Sequence, residues 1–397
     1  MKILVVSQYF WPEEFRINDI CEGFIQQGHE VEVLTGIPNY PQGKFFNGHS
    51  LFKMGVREYK GVKIRRVPLI PRGKDNLIML GLNYISYTIT ASMASLGLLF
   101  NRYDRVFVFQ LSPITLAIPG IIVSKMKKIP SFIYVQDLWP ESLFTIKEVN
   151  NKGIKNILNK ICSRIYKSFD KLLITSKSFE DKLIEKGIDR AKIEYFPQWA
   201  EDFYSNTKVE QKKRNNNFVV TFAGNIGKAQ SVNTIIEAAN LAKDNKNIIW
   251  NILGDGSDFN YIKELVHKYS IQDTVKLLGR KPSSEMPKYF SESDALIVTL
   301  RNDEVLRATL PAKVQSYMAS GKPILAAISG EGNRTIKDSK CGLVGEAEDH
   351  IKLYENVIKL FNMSEEERNI LGNNGKEYFK NNFTREKLLS QLEVIMS

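Results

Sequence analysis

Strand-length apolar runs alternate with helical stretches from one end of this chain to the other, and few folds can accommodate that alternation. Residues 3–7, 31–35, 105–109, 131–135 and 171–175 read as strands, with helices at 16–27, 154–168 and 177–186 between them. Repetition of this kind builds a parallel sheet covered on both faces. The polar, aperiodic stretch 205–217 reads as a linker. The rhythm then restarts, with strands at 218–223, 248–253, 275–278, 295–300 and 324–328 and helices at 231–244 and 262–269. The pattern predicts two doubly wound α/β domains, and 397 residues suffice for both. Ligands of such sheets bind beyond the carboxyl ends of the strands. The expected site is therefore the cleft that two such domains face, lined by loops that follow strands.

Several chemistries find no support. Cys21, Cys162 and Cys341 have no paired spacing, and His29, His49, His267 and His350 are not spaced as metal ligands. Free thiols fit a reducing, cytoplasmic compartment. There is no GxSxG elbow, Walker A loop or GxGxxG fingerprint. The opening "MKILVVSQYF" reads as a first strand and not as a signal peptide.

Charge is unevenly placed. Residues 1–198 hold 28 Lys/Arg against 18 Asp/Glu, or +10, and the remainder 27 against 26, or +1. An excess of this kind suits an anionic surface, and a membrane is the expected partner, not nucleic acid. Residues 77–100 carry no charge over 24 positions. Recurring Asn, Ser and Thr favour an interfacial or buried helix over a spanning one. Arg65, Arg66 and Arg72, just upstream, are the expected contacts to anionic headgroups.

In the second half, four loops after strands carry glycines or cations. "FAGNIGKAQS" supplies Gly224, Asn225, Ile226, Gly227 and Lys228, where glycine lets backbone approach a ligand and the next helix start offers free N–H groups. "LGDGSDF" supplies Gly254, Asp255 and Gly256; Asp255 and Asp258 read as turn formers and a helix N-cap, not as a metal site. "LGRKP" adds Arg280 and Lys281. The fourth loop, "TLPAKVQSYMASGKPIL", runs through Thr309, Leu310 and Pro311 into a helix ending at Gly321. Its Lys313 lies in the first helical turn, where the dipole disfavours a cation. A lysine there makes sense beside a bound anion, and the four loops together point to a diphosphate.

In the first half, "YVQDLWPES" places Asp137 at a strand end, followed by Trp139. An N-cap role and an acceptor-hydroxyl contact both remain open for Asp137. "FWPEEFRIND" and "TGIPNYPQGK" offer Glu13, Arg16, Asn18, Asn39 and Tyr40 as contacts to an acceptor sugar.

These motifs, spread over nearly the whole length, resemble the family 4 glycosyltransferases of the GT-B fold, in particular the WbuB-like branch of bacterial polysaccharide enzymes. The resemblance implies an acceptor domain at 1–205, a nucleotide-sugar donor domain at 206–375, and a segment at 376–397 crossing back to the first. It implies metal-independent, retaining transfer from a UDP-sugar, N-acetyl-L-fucosamine among the candidates. The acceptor would be an undecaprenyl-diphosphate-linked saccharide in O-antigen or capsule assembly, met at the cytoplasmic face of the inner membrane. Lys313 would meet the donor diphosphate. Two glutamates common in the family fall at Ala308 and Ser316, so Gln315 or Ser316 must serve the ribose. The family's N-terminal histidine has no counterpart near "FQLSP", which leaves Asp137 as the candidate at the acceptor hydroxyl. A UDP-GlcNAc 2-epimerase-like enzyme and a silent nucleotide-sugar binder are the alternative readings.

Overall fold

The computed structural model describes residues 1–51, 53–55, 57–74, 76–146, 151–200, 204 and 217–397; the expected linker, apart from its last residue, lies outside them. The chain divides into two units, Met1–Phe196 with Leu389–Ser397, and Pro197–Leu388. The division falls before 205 and after 375. The later boundary has a packing cause: helix Glu365–Asn382 lays Gly372 against the backbone of Gly321, where a Cβ would stand 2.1 Å from the Gly321 carbonyl oxygen. That helix therefore belongs to the second unit.

The strands of the first unit are β1 (Lys2–Val6), β2 (Glu30–Gly36), β3 (Glu58–Tyr59), β4 (Val62–Val67), β5 (Arg105–Gln110), β6 (Ser131–Val135), β7 (Lys171–Ile174) and β8 (Ile193–Tyr195). Their order in the sheet is β3-β4-β2-β1-β5-β6-β7-β8. All pairs are parallel except β3 with β4, a hairpin turned by Lys60 and Gly61 at positive φ. β1, β5 and β6 are buried on both faces, which is why they read as unbroken apolar runs. The helices are α1 (Arg16–Gln26), α2 (Leu77–Leu98), α3 (Ile118–Lys127), α4 (Glu141–Ile146), α5 (Lys152–Lys167) and α6 (Phe179–Glu185).

α2 is long and apolar enough to cross a membrane, but it is a crossover between β4 and β5 of one sheet. Its polarity is inverted. Asn83, Tyr87 and Ser95 are buried, while Ile78, Ile85 and Met93 are exposed. Asn83 accepts from Gln8 Nε2 at 2.7 Å and donates to the Ile70 carbonyl at 2.6 Å, and Tyr87 donates to the Leu34 carbonyl at 3.3 Å. The polar residues of the segment thus serve the sheet.

The strand "VKIRRV", read from sequence only as a basic flank, is β4. Arg65 is paired with Glu32 at 3.0 Å. Arg66 is buried and donates to the carbonyls of Trp11 and Met54, and the Arg72 guanidinium lies 4.8 Å from the Tyr40 ring. The three arginines expected at a headgroup are occupied within the fold.

The second unit holds β9 (Phe218–Ala223), β10 (Ile248–Leu253), β11 (Val275–Gly279), β12 (Ala295–Thr299), β13 (Ile324–Ala327) and β14 (Gly342–Gly345), all parallel, in the order β11-β10-β9-β12-β13-β14. Its helices are α7 (Asn233–Leu241), α8 (Phe259–Lys268), α9 (Met286–Ser291), α10 (Glu304–Ala308), α11 (Ala312–Ser320), α12 (Glu331–Asp338), α13 (His350–Asn362) and α14 (Glu365–Asn382). The strand order reverses beside β9, which places the switch point of the sheet at its carboxyl end. α15 (Arg385–Met396) brings the chain back to the first unit. There Leu389 lies over Gly23, and Arg105 donates to the carbonyls of Met396 and Ser397 at 2.7 Å each.

Candidate functional site

The strand-end loops of the second unit are bolted together by backbone. Gly224 N–H donates to the Leu253 carbonyl, Ile226 N–H to Asp255 and Gly254 N–H to Gly279, each at 2.9 Å. The loops after β9, β10 and β11 are thereby held side by side. Glycine is required at the crossing: Gly254 has φ +144, and a Cβ on it would stand 1.8 Å from the Gly224 carbonyl oxygen. Ile226 is buried, whereas Asn225 and Lys228 are exposed. A Cβ on Gly227 would press on the Asn225 amide at 2.9 Å, and one on Gly256 on the Ile226 carbonyl oxygen at 2.3 Å.

Lys313 meets this frame from α11. Its Nζ is buried, has no hydrogen-bond partner among the described residues, and lies 3.9 Å from the centre of the Phe222 ring. A Cβ on Gly224 would stand 2.4 Å from Lys313 Nζ and Cε. The Tyr317 hydroxyl, one turn on, accepts from Ala223 N–H at 3.2 Å, which fixes α11 to the end of β9. Burial pulls the Lys313 pKa down to about 7. A buried ammonium without an acceptor is costly, and the lowered pKa is the form that cost takes here. Phe222, Tyr317 and Gly279 are part of this frame and were not picked out from sequence. Their roles depend on contacts between distant loops.

The other candidates of this unit fall into two groups. Arg280 and Lys281 are exposed just after Gly279. Pro311 caps α11, Leu310 is buried, and the Thr309 hydroxyl donates to the Val305 carbonyl. Gln315 is buried and donates its amide to the Gln198 carbonyl at 2.7 Å, whereas Ser316 stays half-buried with its hydroxyl on the Ala312 carbonyl. Of the two residues expected at a ribose, Gln315 is engaged by the chain itself. Asp255 closes a turn onto Gly256 N–H at 2.8 Å; Asp258 sits at the N-cap of α8 without making the capping bond. Among the described residues, no three His, Cys, Asp or Glu group as metal ligands.

In the first unit the candidates are engaged in the chain's own structure. Buried Glu13 accepts from the N–H groups of Asn39, Tyr40 and Phe10 at 2.8, 2.7 and 3.3 Å. Burial raises its pKa to about 7, against those donors and the Arg66 charge. Asn18 joins Trp11 N–H to the Glu13 carbonyl, and Asn39 joins Arg72 N–H to the Ile37 carbonyl. Arg16 pairs with Asp19 at 3.4 Å. Glu13, Asn18 and Asn39 tie loops together, whereas the Arg16 pair lies within α1. Tyr40 is exposed, and its ring packs with Tyr9 and Phe15. Ser112 links the remaining two: its hydroxyl is 2.9 Å from Asp137 Oδ2 and accepts from Trp139 Nε1 at 2.9 Å. Burial raises the Asp137 pKa, and the Ser112 hydroxyl partly offsets that.

Two doubly wound units in one chain are the architecture of the GT-B glycosyltransferases, and the comparisons agree. The glycosyl transferase 4-like domain matches residues 14–199, and the glycosyl transferases group 1 family matches residues 204–378. The chain thus carries a glycosyl transferase 4-like domain followed by a glycosyl transferases group 1 domain. It is 23% identical over 340 residues to WcaI of Escherichia coli, described as a colanic acid biosynthesis glycosyl transferase, covering 81% of this chain and 82% of that one. It is 23% identical to an alpha-monoglucosyldiacylglycerol synthase of Acholeplasma laidlawii, covering 79% and 80%. Among solved structures, Anabaena HepE in complex with UDP superposes with TM-score 0.71 at 14% identity, covering all of this chain and 99% of that one.

Proposed function

We propose that the protein is a retaining, metal-independent glycosyltransferase that moves a sugar from a UDP-sugar to a lipid-diphosphate-linked saccharide in bacterial surface-polysaccharide assembly. One observation carries the reading: the Lys313 Nζ, buried against Gly224 at the switch point of the second sheet with no hydrogen-bond partner among the described residues. Negative charge grows on the leaving diphosphate as the glycosidic bond breaks, and a fixed cation stabilises it. Lys313 fills that role without Mg²⁺, aided by the 224–228 and 254–256 loops and by Arg280 and Lys281. Ser316 takes the ribose in place of Gln315. The relatives support UDP as nucleotide, through HepE, and a polysaccharide product, through WcaI. The synthase supports a lipid acceptor. Leu77 to Phe100 would bring the enzyme to the cytoplasmic face of the membrane. N-acetyl-L-fucosamine is the donor sugar to try first.

The test is a donor screen in EDTA. UDP-sugars are incubated with undecaprenyl-diphosphate-GlcNAc, and both UDP release and glycolipid mass are followed. A new glycolipid with retained anomeric configuration is expected, and its mass names the sugar. An absolute need for divalent metal would end the Lys313 account. UDP release without glycolipid across acceptors would favour the epimerase-like reading, and donor binding without turnover the silent one.

A further inference from the structure

One face of the first unit's sheet differs chemically from the other. α2, α3 and α5 make crossovers that run in the same direction along the sheet, from β4 to β5, β6 and β7. Right-handed connections put all three on one face and α1, which runs the opposite way, on the other. α2 packs on α3, and both α2 and α5 meet the 3₁₀ turn Ile114–Ala117. None of these three helices contains Asp or Glu, whereas α1 carries Asp19 and Glu22 and α15 carries Glu386 and Glu393. α6, which crosses from β7 to β8 on the same face as the three, does carry acids, with Glu180 paired to Arg190 and Glu185 to Lys182.

The outer surface of this layer is apolar and basic. On α2, Ile78, Leu82, Ile85, Ile89, Met93 and Leu96 recur every three or four residues and all are exposed. On α5, Ile154, Ile157 and Ile161 repeat the spacing and are 48%, 60% and 43% exposed. α2 has no charge of its own, and Arg65, Arg66 and Arg72 are occupied within the fold. The cations come from α5: Lys160, Arg164 and Lys167 are exposed, lie at i, i+4 and i+7, and have no ion pair among the described residues. They line a cavity of about 580 Å³ together with Lys186, Glu141 and Glu185. Lys186 is already matched there by Glu141 and Asn159. A basic helix with an apolar stripe beside its cations lies in a bilayer interface, apolar side down.

We propose that α5 is a second membrane-docking element of this layer, specific for anionic lipid. Ile154, Ile157 and Ile161 enter the acyl boundary, and Lys160, Arg164 and Lys167 hold lipid phosphates at the mouth of the cavity. The inference rests on the membrane part of the proposed function. It moves the electrostatic contact from the β4 arginines, where the sequence alone put it, to α5. Charge complementarity selects the occupant: the acids at the cavity, Glu141 and Glu185, are paired with Lys186 and Lys182, and the cations left over on α5 match a bilayer containing phosphatidylglycerol better than a neutral one.

The test is sedimentation of the full chain with vesicles of phosphatidylglycerol and phosphatidylcholine, and with phosphatidylcholine alone. Wild type should prefer the anionic vesicles and lose that preference as salt rises. Replacing Lys160, Arg164 and Lys167 together by Gln should weaken anionic binding about 100-fold, from roughly fivefold per cation. Turnover on a soluble acceptor analogue should not change. Ile154→Ser with Ile157→Ser and Ile161→Ser should weaken binding to both vesicles. The comparison variant is Ile85→Asn with Ile89→Asn on α2. If the α2 variant loses binding while the triple Gln variant sediments like wild type, α5 is overturned and the membrane reading survives. If wild type ignores both vesicles, both fall. Saturable binding of inorganic phosphate without vesicle binding would assign the cavity to a soluble anion and also overturn the inference.

Discussion

The two units share a strand order: β4-β2-β1-β5-β6-β7 in the first corresponds to β11-β10-β9-β12-β13-β14 in the second. At their strand ends they do opposite things. In the second unit, glycines strip side chains from the loops, and Lys313 against them has no hydrogen-bond acceptor among the described residues. In the first, Glu13 and Asn39 in the corresponding loops, and Asn18 at the start of α1, satisfy the chain's own N–H and carbonyl groups. One architecture thus yields loops cleared around a buried cation and loops tied down by their own side chains. The type of polar residue does not separate the two cases; the number of its internal partners does.

That contrast can be broken in several ways. The largest effect should come from Lys313→Ala, which removes the buried charge proposed to meet the diphosphate and should lower kcat by about 100-fold or more. Near-normal turnover would put the site elsewhere. Glu13→Ala should act on stability instead. Three buried N–H groups lose their acceptor, so unfolding by urea should show a loss of about 2 kcal/mol or more, with UDP affinity unchanged. A change in UDP affinity without a change in stability would reverse the assignment of the two loop sets. Gly224→Ala sharpens the comparison, because the added methyl displaces the Lys313 side chain without removing it. Donor turnover should fall about tenfold or more in a protein that still melts cooperatively.

The smallest effect is a proton. Lys313 has its pKa near 7 because burial disfavours its charge, and an arriving diphosphate restores it. UDP-sugar binding at pH 7 should take up about half a proton, more at pH 8 and almost none at pH 5. Donor affinity should accordingly weaken as pH rises above 7. Calorimetry in buffers of different ionisation enthalpy measures this. Lys313→Met should abolish the uptake.

Much of this was legible in the sequence. The buried parallel strands announced themselves as apolar runs, and Lys313 stood out because a helix N-terminus repels a cation. The GT-B fold and glycosyltransferase class came from the family resemblance that the loop motifs carry. What could not be read depended on partners far away in the chain. β4 was missed because its Arg65 and Arg66 look solvated until Glu32, Trp11 and Met54 are placed beside them. Gln315 and Ser316 are polar neighbours, and only the distant Gln198 carbonyl shows that the Gln315 amide is taken while the Ser316 hydroxyl turns to its own helix at Ala312. The composition of α2 argued correctly against a free span. The direction of its polarity, with Asn83 inward and Ile85 outward, could be seen only once Gln8 and Ile70 were in place.

The return of residues 389–397 to the first unit has a consequence for synthesis. Domains generally fold in the order in which they leave the ribosome. Here the second unit is one continuous stretch, Pro197–Leu388, and can close while translation continues. The half made first must wait, since Gly23 and Arg105 receive Leu389, Met396 and Ser397 only after the whole second unit has been made. A chain cut before Leu389 would carry a finished second unit and a first unit that never acquires its strap.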